Sequence, residues 1–498
     1  MKMPRQEESL LLNNRNGVSI VSTYNTFFTD SHTSQSQTGS ETTEKAPFLV
    51  EPVRLTPAWE ESNLPNDELN FKGMTMERAK MEIDPPKDRL NIVFLTLVLH
   101  GIGTLTPWNM FITAKAYFVD YKLSKDYTDE DSNYTANFLA YLGFASQIPN
   151  LLFNWLNVFV QMGGNLTTRI VWSLLFEVLL FVITVGMAMS DTSKIPGVFF
   201  WVTMATVVLL NMAGGIYQNS VYGMAAKLPI KYTGAVVLGS NISGSFAAIM
   251  SLLSTSFAES VRTAAIYYFI TAMFVLLICF DTYFALPLNK YYKYHEMLAE
   301  KEKQRVERAG FDSGRPPYWK IFKDAFPQLF NVFLIFFVTL SVFPAVHSDI
   351  KQVDSDFFIP KDMFTTVTCF LTFNFCAMLG SLLTSWIKWP SPRYLVWPVV
   401  ARLVFIPLFI FCNYHPLNIT RVLPIYIEND YVYWAIAIIM SVSSGYLSSL
   451  AMMYAPSYVE SRYAPTAGMF AAASLITGIF TGILFSMGVP WLVANLKW

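Results

Sequence analysis

Eleven apolar runs follow one another along this chain, and each is about long enough to cross a lipid bilayer as a helix. They lie near residues 91–114, 136–160, 169–189, 196–224, 234–256, 264–287, 327–346, 361–387, 393–412, 431–455 and 465–493. A spanning helix needs about 20 mostly apolar residues. Hydrophobic residues make up 53% of the chain and charged residues only 14%, which is too apolar for a soluble protein. The sequence therefore predicts an all-α membrane protein with eleven transmembrane helices in a lipid bilayer.

The remaining composition excludes several classes of function. The formal net charge is −1, so no basic surface is left over to bind nucleic acid. The four cysteines all fall within apolar runs and lack the spacing of metal ligands. Paired intramembrane carboxylates, metal-spaced histidines and a nucleophile motif are not found in the sequence. We therefore expect no enzyme activity, no metal site and no cofactor.

Polar stretches divide the chain into four parts. Residues 1–85 are rich in Ser, Thr, Asn and Glu, which predicts a disordered cytosolic tail. Residues 86–288 contain six apolar runs and residues 327–498 contain five, with a polar cytosolic loop at 289–326 between them. This predicts a six-helix N-terminal half and a five-helix C-terminal half.

The charges of the loops predict the orientation in the membrane. Lysine and arginine concentrate just before the first run and in loop 289–326, whereas loops on the other side carry aspartates, at 126–131 and 349–356. By the positive-inside rule, the N-terminus is cytosolic and the C-terminus extracellular or lumenal. The sequons that begin at Asn133 and Asn418 fall on this outer side and are predicted glycosylation sites.

Polar side chains recur on one face of the second predicted span. Four amides share this face at spacings of three, four and three residues: Gln147, Asn150, Asn154 and Asn157. Amides that faced lipid would lack hydrogen-bond partners, so the face must point into the bundle. It either bonds to neighbouring helices or lines a polar cavity, and the sequence leaves both readings open. The fourth span repeats the pattern, with Gln218 on its polar face.

Ionisable residues within the predicted spans are the second polar signal: His100, Glu177, Asp281 and Arg402. Each charge at such a depth is costly unless it is paired or hydrated. Either acid is therefore an expected ion-pair partner for Arg402. His100 is interpreted either as a neutral, hydrogen-bonded core residue or as a proton-linked group.

Several blocks of sequence carry a resemblance to a known family. The first span contains Gly101-Ile-Gly-Thr-Leu-Thr-Pro-Trp-Asn109, the ninth Arg402-Leu-Val-Phe-Ile-Pro-Leu-Phe409, and the tenth Gly445-Tyr-Leu-Ser-Ser-Leu450. In order and spacing, from about residue 86 onward, the chain resembles the equilibrative nucleoside transporters. The resemblance implies a fold similar to the major facilitator type, six helices plus five, with a substrate site between the halves. It also implies facilitated transport of nucleosides, and in some members of nucleobases.

The resemblance also implies where the substrate binds. Trp108 resembles the family's substrate residue in helix one, and Gln218 resembles the glutamine of helix four that hydrogen-bonds the base. Asn150 occupies the site position of helix two, and Gln147 shares its face. An indole can stack on a base, and an amide can both donate to its edge and accept from it.

Helix eight departs from the family pattern. Members usually read Phe-Asn-x-x-Asp-x-x-Gly-Arg there, whereas this chain reads Phe373-Asn-Phe-Cys-Ala-Met-Leu-Gly-Ser381. Ala377 and Ser381 thus replace the two charged residues that the resemblance assigns to ribose binding. Asn374 and Ser381 remain as the candidate substrate contacts of this helix.

The N-terminal tail contains a sorting pattern. Glu7, Leu11 and Leu12 match an acidic dileucine signal, which is read in flexible cytosolic segments. This predicts binding to a clathrin adaptor. It also predicts a location at the plasma membrane, the late endosomal or lysosomal membrane, or both.

Three functional hypotheses follow from the sequence. The first is a facilitative nucleoside carrier that works by alternating access between its two halves. The second is a carrier of another small polar solute, such as an organic cation, because the charged pair of helix eight is lost. The third is a membrane receptor or scaffold without transport activity.

Overall fold

The computed structural model describes residues 84–115, 117–128, 138–160, 165–308, 316–416 and 420–495, and their regular elements are helices. The predicted sorting residues Glu7, Leu11 and Leu12 and the predicted glycan sites Asn133 and Asn418 lie outside the described residues. Those predictions therefore stay predictions.

Six long helices form the N-terminal half. They are α1 (Ile92–Thr113), α2 (Phe138–Val160), α3 (Leu166–Met189), α4 (Pro196–Ala225), α5 (Lys231–Phe257) and α6 (Val261–Ala285). Their apolar faces meet in a buried core that continues into the C-terminal half. Side-chain amides and hydroxyls cap α3 and α6, where Asn165 and Ser260 accept from the backbone N–H three residues later.

The C-terminal half begins after a polar helix, Lys290–Arg308, here called the loop helix. Two of its spans are composite: α8 joins Lys361–Thr365, a π-helical turn and Thr372–Leu383, and α9 joins Val396–Ala401, a 3-10 turn and Phe405–Ile410. The others are α7 (Tyr318–Val342), α10 (Asp430–Tyr454) and α11 (Ala464–Asn495).

Most of the predicted spans have the length and hydropathy of a membrane helix. Among the described residues, nine helices are long and apolar enough to cross a membrane, and Val396–Phe411 is a shorter apolar helix. The remaining one, α2, has the length of a span, but its four amides reduce its apolar content. The total of eleven transmembrane helices therefore stays a prediction.

Backbone contact between helices occurs where glycines remove the side chain. A Cβ at Gly239 of α5 would overlap the carbonyl oxygen of Val98 in α1, and a Cβ at Gly445 of α10 would overlap that of Ala377 in α8. Small residues at such positions let membrane helices approach closely. The first crossing fixes the core of the N-terminal half, and the second closes α8 against α10.

Candidate functional site

Two buried glutamines have polar atoms without a hydrogen-bond partner. Gln218 of α4 is 1% exposed, and neither its Oε1 nor its Nε2 is bonded. Gln147 of α2 is 6% exposed, and its Oε1 is unbonded. An unsatisfied buried amide costs about 1–3 kcal/mol, so such groups are rare unless water or a ligand bonds them. These two amides are therefore the best-supported polar groups of a binding site.

The crossing of α2 and α4 places the two glutamines relative to each other. A Cβ at Gly215 would lie 3.0 Å from the carbonyl oxygen of Asn150, so these residues mark one level of the crossing. The two helices run in the same direction and both end toward the loop helix. Gln147 lies one turn before the level of the crossing, at Asn150, and Gln218 lies one turn after it, at Gly215. At 1.5 Å per residue, the two glutamines are about 9 Å apart along the helices.

The other amides of α2 serve its packing. Asn154 donates to Asn150 Oδ1 at 2.7 Å, and Asn157 donates to Asn219 Oδ1 of α4 at 2.9 Å. Arg169 of α3 donates to Asn157 Oδ1 at 3.1 Å. The face that the sequence left open thus divides: Asn157 joins α2 to α3 and α4, Asn154 bonds only Asn150 of its own helix, and the Oδ1 of Asn154 and the Oε1 of Gln147 have no partner.

Trp108 lies in α1, which continues through Pro107 without interruption from Ile92 to Thr113. The helix is fixed against α5 around this residue, because Asn109 donates to Ser243 Oγ at 3.0 Å and Thr104 Oγ1 lies 3.4 Å from Ser240 Oγ. The indole is half-buried, and its ring makes no aromatic contact with the described residues. Stacking of this ring on a substrate stays a prediction.

The candidate residues of α8 are engaged with α5 instead. A Cβ at Gly244 of α5 would overlap Asn374 Oδ1, while Asn374 Nδ2 donates to Phe370 O at 2.9 Å. Ser381 Oγ accepts from Asn241 Nδ2 at 2.6 Å and donates to Gly445 O at 3.1 Å. The Ser381 hydroxyl is 2% exposed and fully bonded, which favours a role in joining helices; substrate contact by Ser381 stays a prediction.

The expected ion pair of Arg402 is not formed, and that interpretation was wrong. Arg402 is buried and donates to Met440 O at 3.1 Å, Ser443 Oγ at 2.6 Å and Thr339 Oγ1 at 2.8 Å. Glu177 belongs to the other half, where its carboxylate oxygens have no partner. Oxygen atoms of α7 and α10 thus accept hydrogen bonds from the guanidinium in place of a carboxylate.

Hydrogen bonds between the two halves concentrate at one end of the bundle. Asn219 Nδ2 donates to Met469 O of α11 at 2.8 Å, and Trp155 Nε1 donates to Thr477 Oγ1 at 3.0 Å. With the Asn241 bond to α8, these bonds lie in the part of the bundle nearer the loop helix. Among residues that the structure describes, none joins the halves at the opposite end. The halves are therefore closed together at the loop-helix end.

Comparison with known proteins places this architecture in a family. A sequence profile of the nucleoside transporter family matches residues 204–490. Human equilibrative nucleoside transporter 1 is 32% identical, over 80% of this chain and 97% of its own. The chain belongs to the equilibrative nucleoside transporter family. Human equilibrative nucleoside transporter 2 is 31% identical over 81% of this chain and 98% of its own, and the rat transporter 3 is 29% identical over 84% and 92%.

A solved structure extends the comparison to the fold. The proton:xylose symporter XylE of the major facilitator superfamily matches this transporter with a TM-score of 0.57 at 12% identity, covering 82% of this chain and 91% of its own. This confirms the predicted major-facilitator-like arrangement. Membership of a transporter family likewise confirms the expectation of a carrier over an enzyme.

Sequence reasoning missed the residues that hold the two halves of this transporter together. Asn241, Trp155 and Asn219 have no role among the expectations drawn from the sequence. The signal for Asn241 was its polarity in an apolar run, one residue after Ser240. Its partner, Ser381, is 140 residues away, and only the fold brings the two together.

Proposed function

We propose that this transporter moves nucleosides, and free nucleobases as well, across a membrane by facilitated diffusion. The relatives' names support the substrate class, since they are called nucleoside transporters. The observation that carries the proposal is Gln218: a buried amide with both a free donor and a free acceptor matches the mixed donor and acceptor edge of a base.

Each candidate residue has a role in this proposal. Gln218 bonds the edge of the base, and Gln147 Oε1 accepts from a further donor about two turns away along the crossing. Trp108 stacks on the ring system. Asn150 keeps its Nδ2 as a donor, because only its oxygens are used by Asn154. Asn374 of α8, whose Oδ1 lies against Gly244 of α5, is the proposed substrate contact from the other half.

Recognition of the sugar is weaker in this proposal than in relatives that carry charges on helix eight. Ala377 is 1% exposed against α10, and Ser381 is bonded to Asn241 and Gly445. No charged group is left on this stretch of α8 to hold ribose hydroxyls. For this reason, we include nucleobases among the substrates.

The transport cycle follows from the closed loop-helix end. In our proposal residues 86–288 and 327–498 are the two bodies that rock against each other, and the loop-helix end is cytosolic. The conformation described here then receives substrate from the outer side. Opening requires the bonds made by Trp155, Asn219 and Asn241 to break.

The location of the protein is part of the proposal. A cytosolic N-terminus exposes Glu7, Leu11 and Leu12 to a clathrin adaptor, and glycans on Asn133 and Asn418 lie outside the cytosol. The protein then divides between the plasma membrane and late endosomes or lysosomes.

Uptake into proteoliposomes tests the substrate class. Purified full-length protein is reconstituted, and entry of labelled adenosine, uridine, adenine and tetraethylammonium is compared with entry into protein-free vesicles. We expect saturable entry of both nucleosides and of adenine. Entry of tetraethylammonium alone would indicate a carrier of organic cations, and entry of none would indicate a receptor or scaffold; either result contradicts the proposal.

A further inference from the structure

A second group of buried polar side chains lies inside the N-terminal half, away from the candidate site. His100 of α1, Glu177 of α3, Tyr217 of α4 and Cys279 of α6 are each 0% exposed. His100 Nδ1 and the Tyr217 hydroxyl share a hydrogen bond of 2.7 Å. Four helices thus bring four ionisable groups into one core.

Two glycines make room for this group. A Cβ at Gly103 would lie 2.7 Å from Cys279 Sγ and 3.1 Å from the Tyr217 hydroxyl. A Cβ at Gly214, one turn before Tyr217, would lie 3.4 Å from Glu177 Oε1. The Glu177 carboxyl therefore sits against the bare backbone of α4, within electrostatic range of Tyr217 and Cys279.

Glu177 lacks the partners that a buried carboxylate needs. Both of its oxygens are unbonded, and so is His100 Nε2. The titratable groups that face the cluster are Tyr217 from α4, Cys279 and Tyr283 from α6, and His100 from α1. Within the described part of the chain, no lysine or arginine pairs with Glu177.

A proton is the ligand that fits these atoms. An ionised carboxylate at this depth without a cation costs several kcal/mol, and protonation removes that charge. Hard metal cations need six or more oxygen ligands, whereas only the two carboxylate oxygens are free here. Among the described residues, no group of three acidic, histidine or cysteine side chains could hold a metal.

We propose that Glu177 is a proton-binding site, with the His100–Tyr217 pair as its polar neighbour, and that its proton is linked to substrate movement. The step is the addition of one proton from water to the carboxylate, and its return to water in another conformation. The link to transport rests on the nucleoside carriage proposed above and deepens it, because a proton that moves with the substrate couples the entry of substrate to the pH gradient in place of simple facilitated diffusion.

Helix α4 provides the physical connection. Tyr217, Gln218 and Asn219 are consecutive and point in three directions about 100° apart. Tyr217 bonds His100 in the core, Gln218 carries the free amide of the candidate site, and Asn219 bonds α11 of the other half. A negative charge on Glu177 would therefore act on the helix that carries both the site and the contact between the halves.

Transport measurements at different pH values test the link. Proteoliposomes with equal pH on both sides are compared for the parent, Glu177→Gln and the control Glu259→Gln, whose side chain is exposed between α5 and α6. For the parent and the control, uridine uptake should fall by about tenfold per pH unit on the alkaline limb, as one proton is lost. Uridine entry should also change the internal pH. For Glu177→Gln, uptake should be independent of pH, and internal pH should not change.

A second readout does not require transport. The infrared C=O band of a protonated carboxyl should be present in the parent at neutral pH and missing in Glu177→Gln. If Glu177→Gln does not fold, His100→Gln replaces it, and a shift of this band and of the pH profile is expected.

The outcomes separate the two proposals. A parent that carries no nucleoside at any pH refutes the proposed function, and the infrared band alone then decides the proton site. If the parent transports but lacks the band, or if Glu177→Gln keeps the parent's pH profile and proton movement, this inference is wrong.

Discussion

Replacement of Gln218 by leucine should affect substrate affinity and stability in opposite directions. Leucine is similar in size to glutamine, although it branches one carbon earlier, and it cannot form hydrogen bonds. If the free donor and the free acceptor of Gln218 each bond the base, their loss costs about 1–3 kcal/mol of binding free energy. That corresponds to an apparent affinity for nucleosides that is on the order of 5- to 150-fold weaker.

The folded protein should not be weakened by the same change. Because the Gln218 amide has no partner among the described residues, leucine removes a buried polar group without breaking a bond. The Tm of purified Gln218→Leu should therefore equal or exceed that of the parent. Uptake kinetics in proteoliposomes and thermal unfolding in detergent measure the two effects on the same preparation.

Gln328 of α7 provides the matched control. It is 0% exposed, but its Nε2 donates to Pro392 O at 2.8 Å and its Oε1 accepts from Asn331 at 3.2 Å. Gln328→Leu should lower the Tm and leave the KM for uridine unchanged. If instead Gln218→Leu lowers the Tm and keeps the parent's KM, Gln218 is a packing residue and the candidate site lies elsewhere.

Three further predictions concern the contacts between helices and the tail. Asn241→Ala and Ser381→Ala should each shift the equilibrium between closed and open states toward opening at the loop-helix end, by about threefold for one lost membrane hydrogen bond. Distances between spin labels on the two halves measure this shift, and additive effects in the double variant would refute a direct bond. Gly445→Ala should destabilise the protein by about 1–3 kcal/mol through overlap with α8, and an unchanged Tm would contradict the close crossing. Leu11→Ala with Leu12→Ala should move the protein to the cell surface, and imaging that finds the parent's distribution would exclude the sorting role.

The positions of the helices could be predicted from the sequence because apolar runs in a membrane protein have a required length. The first run, 91–114, became Ile92–Thr113, and the tenth, 431–455, became Asp430–Tyr454. The start of α7 could not be predicted in this way. Its first turns, from Tyr318, carry Lys320, Lys323 and Asp324 among aromatic and apolar residues, and these charges interrupt the apolar run by which a span is recognised.

The roles of the polar residues could be predicted only in part, because a polar side chain in a membrane is defined by its partner. Gln147 and Asn157 lie on one face of α2 and are equally polar in sequence. In the fold, Asn157 meets Asn219, Ser220 and Arg169, while Gln147 Oε1 meets no partner. Which amide binds a neighbouring helix depends on contacts between residues far apart in the chain.

Helix α8 differs from the family pattern at two positions. Where relatives are expected to carry an aspartate and an arginine, this chain has Ala377, whose carbonyl oxygen lies against Gly445 of α10, and Ser381. The Ser381 hydroxyl accepts from Asn241 of the other half. Ser381, at a position that the family pattern assigns to ribose binding, thus bonds the other half of the protein. We therefore expect substrate recognition to depend on the N-terminal half, where the amides of Gln147 and Gln218 are not used by the fold.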